Sequence, residues 1–427
     1  MIKVALGDIC KICSSKRIFE SEYKENGIPF IRGMEITDGS ILADNAKYEC
    51  YISKERYLEL KERHGVPQEG DILITAVGTI GNLCYIDKDK EFYFKDGNVI
   101  WFKDFTKQVY SKYLYYFMKG LYFKKQLECA MIGAVQKALT MVMLSKVELE
   151  LPSYEEQVQI VDVLDVIDKK IENNNKINSE LEAMARMIYD YWFLQFDFPD
   201  ENGKPYKSFG GKMVWNEALK REIPEGWKVK RVKDCVKHIN TGLNPRDNFV
   251  LGQGDIKYVT VKNLMSNGTL DFASCDTIDS RAKKIIHKRS DVAKGDILFA
   301  SIAPLGRCFI VQEEPEKWDI NESVFSIRPN IDMVSKEYLY LFFISQAFVR
   351  LAEFSSTGSV FYGIRISTLE NMQIIIPDED TMQKFTNYTS DILYKKYLNF
   401  IGNHELASLR DFLLPLLMNG QVGFKEC

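Results

Sequence analysis

No run in this 427-residue chain approaches eighteen uncharged apolar residues, which excludes a predicted membrane-spanning helix. The most apolar stretch, Tyr338 to Val349 (YLYLFFISQAFV), is too short to cross a bilayer and reads as a buried helix. The start, MIKVALGDIC, shows no apolar segment behind a basic one, so a cytoplasmic location is expected. Cysteine is sparse: nine residues, odd in number and scattered, suit reduced thiols better than a disulfide framework. Cys10 and Cys13 form the single CxxC, and the four histidines (His64, His238, His287, His404) supply no second pair at zinc-ligand spacing, so no metal site is expected. Gly210-Gly211-Lys212-Met213 does not make a phosphate-binding loop of the GxxxxGK[ST] type.

An excess of positive charge is missing too. The net charge of −4 argues mildly against a nucleic-acid partner, because counterion release favours basic surfaces. The charge is segregated, however: Lys228 to Ala300 holds fourteen Lys and Arg against eight Asp. Taken alone, that segment reads as a solvated surface.

What the chain does have is an internal repeat. GDILI at Gly70 to Ile74 returns 225 positions later as GDILF at Gly295 to Phe299. The same offset relates Gly81 to Gly306, Val99 to Val324, Tyr113-Leu114-Tyr115 to Tyr338-Leu339-Tyr340, Gly133-Ala134-Val135 to Gly358-Ser359-Val360, Pro152 to Pro377 and Leu181 to Leu406. Pairs in one order at one offset point to duplication. Each copy opens with a strand-rich region of about 150 residues, in which IPFIRGMEI (Ile28 to Ile36) is answered by IKYVTVKNL (Ile256 to Leu264). Each copy closes with a long helix.

Ser153 with Glu156 forms a capping box at the start of the first long helix, and Asp378 occupies the matching place in the second. From Tyr154 to Phe193, apolar residues fall at Ile160, Leu164, Ile167, Ile171, Leu181, Ala185 and Ile188, a three-four alternation interrupted by Asn174 and Asn178. Asn399 and Asn403 interrupt the second helix at the same offset. These four asparagines either sit in a seam between paired antiparallel helices, fixing its register, or face solvent. Such a helix is about 60 Å long, more than one turn of B-DNA. Between the copies, Asp197 to Trp227 is rich in Gly, Pro and charge and reads as a connector.

Two strand-rich arms, each closed by a long helix, together with EEQ (Glu155 to Gln157), the FDFP…GKPYKS…GGKMV connector, IPEGW (Ile223 to Trp227) and LLPLLMNGQ (Leu413 to Gln421), resemble the specificity subunit of Type I restriction-modification systems over essentially the whole chain. The resemblance implies an α+β fold with two pseudo-repeated target recognition domains separated by two long antiparallel helices that form a coiled-coil spacer. The implied segments are 1–152 and 224–377 for the two recognition domains, 153–196 and 378–420 for the spacer helices, and 197–223 for the connector. It further implies double-stranded DNA as ligand, read as a bipartite, asymmetric site. Two methylation (M) subunits would use S-adenosylmethionine on adenine N6, and two restriction-motor (R) subunits would use ATP and Mg. This chain itself is expected to bind no cofactor or metal, to carry no catalytic residue and to touch no membrane. In agreement, it has no Asn/Asp-Pro-Pro-aromatic motif, and Pro199-Asp200 and Pro377-Asp378 lack a convincing downstream Glu/Asp-x-Lys partner.

Base reading needs bidentate donors and acceptors at base edges, with separate cations on phosphates. Loops beside the repeated motifs supply Arg32, Thr75, Asn82, Gln136 and Lys137 in the first arm, and Lys262, Asn263, Ser301, Arg307, Tyr362 and Arg365 in the second. Lys137 and Lys262 suit phosphate. Asn82/Arg307 and Gln136/Phe361 are offset matches with different chemistry, as two unlike half-sites require and as surface drift would also produce. Gly81, Gly133, Gly306 and Gly358 suit turn geometry. The alternatives are an orphan two-armed scaffold and a stand-alone DNA-modifying enzyme with degenerate motifs.

Overall fold

Alternating apolar residues give both halves short strands, and both assemble them into the same three sheets. A computed structural model describes residues 2–37, 48–88, 90–131, 138–246, 248–355 and 363–423. In the first half, Ile2–Ala5 pairs antiparallel with Glu148–Leu151. A four-stranded antiparallel sheet follows in the spatial order Lys11–Cys13, Val99–Lys103, Ile72–Thr75, Leu83–Tyr85. A mixed three-stranded sheet places Ile28–Ile31 between Tyr51–Ile52 and Tyr93–Phe94. In the second half the counterparts are Lys228–Arg231 with Gln373–Ile376; Val236–Thr241, Val324–Pro329, Ile297–Ala300 and Cys308–Ile310; and Ile256–Val259 between Asp276–Ile278 and Trp318–Ile320. The central strands Ile72–Thr75 and Ile297–Ala300 are buried throughout, as expected for an apolar run covered on both faces.

The two apolar runs that read as whole strands stop halfway. Ile28–Ile31 gives way to the helix Gly33–Thr37, where the Arg32 N–H donates to Glu35 Oε2 at 2.9 Å. Ile256–Val259 gives way to the short helix Val261–Asn263, where Asn263 Oδ1 accepts from the Thr260 N–H and hydroxyl at 2.8 and 2.9 Å. In each case a polar side chain three residues ahead offers the backbone a cap in place of a ladder partner. The arms are also more helical than their alternation suggests: Lys54–His64, Ser111–Lys119 and Leu121–Met131 correspond to Ser280–Ser290, Lys336–Ile344 and Gln346–Phe354. The stretch Tyr338 to Val349 is accordingly two helices, divided at Ser345, whose hydroxyl caps the second through the Phe348 N–H at 3.2 Å.

Two long helices, Tyr154–Tyr189 and Glu379–Met418, complete the fold. The first opens on the expected capping box, with the Glu156 N–H donating to Ser153 Oγ at 3.3 Å and the Ser153 N–H to Glu156 Oε2 at 2.9 Å. Asp378 caps the second through the Thr381 N–H at 2.9 Å. The chain divides into two compact units, Met1–Ile171 with Glu405–Cys427, and Glu172–His404, so the division falls inside both long helices.

Within the first unit, Ile160, Val161 and Leu164 share a core with Leu414 and Leu417, and the Arg410 guanidinium meets Asp168 at 2.8 Å. Within the second, the Asn174 amide donates to Asn403 at 2.8 Å and the Asn399 amide to Asn178 at 2.9 Å. Numbers rise along one helix as they fall along the other, so the segments pair antiparallel. Asn174, Asn178 and Asn399 are buried, which places them in the seam and not toward solvent.

The Asp197–Trp227 stretch does not behave as a linker. Phe196, Phe198, Ile223 and Trp227 belong to the core of the second unit, with Phe198 stacked on Tyr206 and on Trp227 at ring centroid distances of 4.6 and 4.8 Å. Its Gly and Pro content signals turns correctly, but aromatic burial decides where it packs.

Candidate nucleic-acid interface

Both central strands are introduced by Gly-Asp. Asp71 Oδ2 accepts from the Gln68 N–H at 2.9 Å and Asp296 Oδ2 from the Ala293 N–H at 2.9 Å, while the glycine N–H groups reach Ile86 O at 2.8 Å and Val311 O at 2.7 Å. Asp71 is completed by the Trp101 indole at 2.8 Å, and burial pushes its carboxyl above the usual range. Asp296 is completed instead by the Ser326 hydroxyl at 2.9 Å and the Arg328 guanidinium at 2.8 Å. The backbone frame is conserved between the halves and its side-chain braces are not.

At the far end of these strands lie the two equivalent loops. The Thr75 N–H donates to Asn82 O and the Ala300 N–H to Arg307 O, each at 2.9 Å. Ala76 N–H then reaches Asn98 O at 2.7 Å and Ser301 N–H reaches Ser323 O at 3.0 Å, while Ala76 O and Ser301 O accept from the N–H groups of Leu139 and Ile364 at 2.9 and 2.8 Å. Each loop is thus tied to the turn before the neighbouring strand of its sheet, Val99–Lys103 or Val324–Pro329, and to the segment that leads into Met141–Ser145 or Ile366–Asn371. Gly81 and Gly306 sit at φ of +92° and +82°, the left-handed region that the turn requires.

The candidate readers among the described residues separate into three groups. Thr75, Asn263 and Ser301 are buried and serve the frame. The Thr75 hydroxyl donates to Thr79 O and accepts from the Asn82 N–H; Asn263 spans Thr260, Asp271 O and Ser274; the Ser301 hydroxyl donates to Ser323 O at 2.8 Å. Arg32 is held by two carboxylates, Glu35 at 2.9 Å and Glu49 at 2.8 Å, and hydrogen bonding to Glu35 and then Glu49 raises its pKa further.

Asn82, Lys262, Arg307 and Arg365 form the solvent-reaching group. Asn82 is half-buried and its amide donates to the Thr37 hydroxyl at 2.9 Å, which in turn lies 2.8 Å from the Thr79 hydroxyl. Arg307 is half-buried, with one nitrogen donating to Leu264 O at 3.2 Å. Lys262 and Arg365 are exposed, the latter at the N-cap of Ile366–Asn371. Gln136, Lys137 and Tyr362, with Gly133, Gly358 and Phe361, lie outside the described residues. Thr37 and Thr79 escape sequence reasoning, since neither stands in a motif; only the fold places them beside Asn82.

Residues 1–183 and 224–397 match the family described as the Type I restriction modification DNA specificity domain. The chain is 29% identical over 319 residues to the Type I restriction enzyme MjaIX specificity subunit of Methanocaldococcus jannaschii, covering 74% of this chain and 70% of that one. It is 24% identical over 474 aligned positions to the HindI specificity subunit of Haemophilus influenzae, covering 98% of each. Among solved structures, a Type I restriction-modification system S subunit from M. genitalium shares the fold with a TM-score of 0.54 at 13% identity, over 100% of this chain and 96% of that one.

Proposed function

The chain belongs to the Type I restriction modification DNA specificity family, and from that premise we propose that its two arms read the unlike halves of one interrupted DNA sequence for partner subunits that carry the chemistry. One observation carries this reading: the loops Thr75–Asn82 and Ala300–Arg307 share every backbone hydrogen bond described above, yet one presents an amide and the other a guanidinium. A common frame with different donors is what an asymmetric site demands, because an amide suits adenine N6/N7 and a guanidinium suits guanine O6/N7.

In this reading the chain binds no cofactor and performs no catalysis. S-adenosylmethionine belongs to two methylation subunits that modify adenine N6, and ATP and Mg belong to two restriction-motor subunits. The paired helices set the number of base pairs between half-sites and offer docking faces. Supporting the docking role, Ile177, Met184 and Met187 are exposed along one face of the first helix, and Tyr394 and Leu398 along the second. Among the described residues no helix is long and apolar enough to cross a membrane.

Mapping methylated adenines in the host with and without the gene tests the proposal. A split motif that disappears with the gene is expected; an unchanged methylation pattern, with neighbouring methylation genes intact, overturns it. Methyl transfer by the purified chain alone would favour a stand-alone enzyme.

A further inference from the structure

The helix Ser280–Ser290 (SRAKKIIHKRS) in the second unit and its counterpart Lys54–His64 (KERYLELKERH) in the first have equal length and the same seat. Each follows a side-chain cap, Asp279 to the Ala282 N–H at 2.7 Å and Ser53 to the Arg56 N–H at 3.2 Å. Each buries one face on its three-stranded sheet, through Ala282 and Ile286 in one and Tyr57 and Leu60 in the other. Their outer faces differ in sign. Arg281, Lys284 and Lys288 are all exposed, spaced three and four apart, and lie opposite the buried row of Ala282, Ile286 and Ser290. The structurally matching positions in the first unit are Glu55, Leu58 and Glu62.

Two of the four Lys and Arg side chains of the first helix are neutralised locally, with Arg56 on Glu22 at 2.8 Å and on Glu59 at 2.6 Å, and Arg63 on Glu59 at 3.2 Å, while Lys54 and Lys61, which make no ion pair among the described residues, lie outside the matching row. Among the described residues, Arg281, Lys284 and Lys288 make no ion pair, and Arg289 donates to the Thr241 hydroxyl at 3.1 Å. That last contact joins the helix to the candidate loop. Gly242, next to Thr241, donates to Asn321 O at 3.1 Å; the Asn321 side chain accepts from the Ser323 N–H at 3.1 Å; and Ser323 O receives both the N–H and the hydroxyl of Ser301. The helix is held rigidly, since the fully buried Asp319 accepts from the Ser290 hydroxyl at 2.6 Å and lies 3.2 Å from His287 Nδ1.

We infer that the outer row Arg281, Lys284 and Lys288, with Arg289 at its loop-facing end, is a DNA-phosphate clamp present in the second arm and absent from the first. The inference rests on the proposed DNA-reading role and adds an asymmetry to it: the second half-site is gripped through counterion release, and the first depends far less on it. Arg281 to Lys288 covers about 10 Å of helix axis, a length along which a duplex carries about six charges. Three unpaired cations along one row suit a line of phosphates and carry no base-edge geometry.

The test uses the full chain in complex with its methylation subunits, a duplex containing the mapped site and an unrelated duplex. Lys284→Gln with Lys288→Gln is expected to lower the slope of log K against log salt by about 1.8. Affinity for both duplexes at 50 mM salt should fall, with the methylated sequence unchanged. Arg281→Glu with Lys288→Glu, which installs the first arm's charges, is expected to weaken binding further. The paired change to arginine should retain the slope, and Lys54→Gln with Lys61→Gln should leave it unchanged. An unaltered slope in the glutamine variant, an equal loss from the first-arm control, or a change in the methylated sequence overturns the clamp while leaving the DNA-reading role standing. Absence of DNA binding by the wild-type complex removes that role itself.

Discussion

The loop after Thr75 and the loop after Ala300 follow one backbone path and end in different side chains, Asn82 and Arg307. Around them the same contrast recurs: Asp71 leans on an indole and Asp296 on a guanidinium, while the outer helix face is acidic in the first arm and basic in the second. The pattern shows how a duplicated fold diverges. Backbone hydrogen bonds close only one way, so they stay in register; solvent-facing side chains carry no such constraint and are free to specialise.

The largest effect expected from breaking this comparison is on stability. Asp296→Ala removes one of the two carboxylates on Arg328, which keeps Asp291 at 2.9 Å, and leaves the Ser326 hydroxyl and the Ala293 N–H without an acceptor, at a cost of about 2–4 kcal/mol. Asp71→Ala loses only the Trp101 and Gln68 bonds, at about 1–3 kcal/mol. Denaturant unfolding of the two variants should rank them in that order; equal losses would mean the two braces do the same work.

Next comes specificity. Arg307→Ala should relax base preference in the second half-site alone, by about 1–3 kcal/mol if the contact is bidentate, read by binding to duplexes mutated in each half. Equal weakening on every sequence would reject a base contact.

The helix pair offers a third contrast, between its charged rungs, Asp168/Arg410 in the first unit and Glu182/Lys396 in the second, and the neutral rungs Asn174/Asn403 and Asn178/Asn399. Asn399→Leu strands the buried Asn178 amide and should cost about 1–3 kcal/mol, whereas Asn178→Leu with Asn399→Leu should recover most of it. Burial pushes the Asp168 carboxyl up, but Lys119 and Arg410 outweigh it and hold the group below the usual carboxylate range. A lowered folded pKa means stabilisation that is present above about pH 4 and lost as pH falls through the lowered value. The stability gap between wild type and Asp168→Asn should therefore narrow in acid, and the asparagine rungs should show no such trend. The smallest effect is at Lys262: replacement by Ala should lower the salt slope by about 0.9 on every sequence if it meets a phosphate.

Much of this architecture is legible in the sequence. The fixed offset from Gly70 to Leu181 predicts two like strand-rich arms, the capping residues Ser153 and Asp378 locate both long helices, and the interrupted apolar alternation raises a seam for the asparagines. The candidate readers were less legible. Loop position beside a motif does not distinguish Ser301, whose hydroxyl faces inward, from Arg307, whose guanidinium reaches solvent; both are polar residues in one loop. Arg32 qualifies as a candidate reader by its loop position alone, and only the fold brings Glu49 onto it beside Glu35.

Local chemistry therefore determined which elements exist, since periodicity, caps and repeat spacing act over a few residues at a time. The tertiary structure decided what each polar side chain is for. Whether an asparagine is a seam rung, a buried brace or a reader depends on which distant groups meet it, and whether a run of lysines is a neutralised surface or an unpaired row depends on carboxylates that only folding brings near.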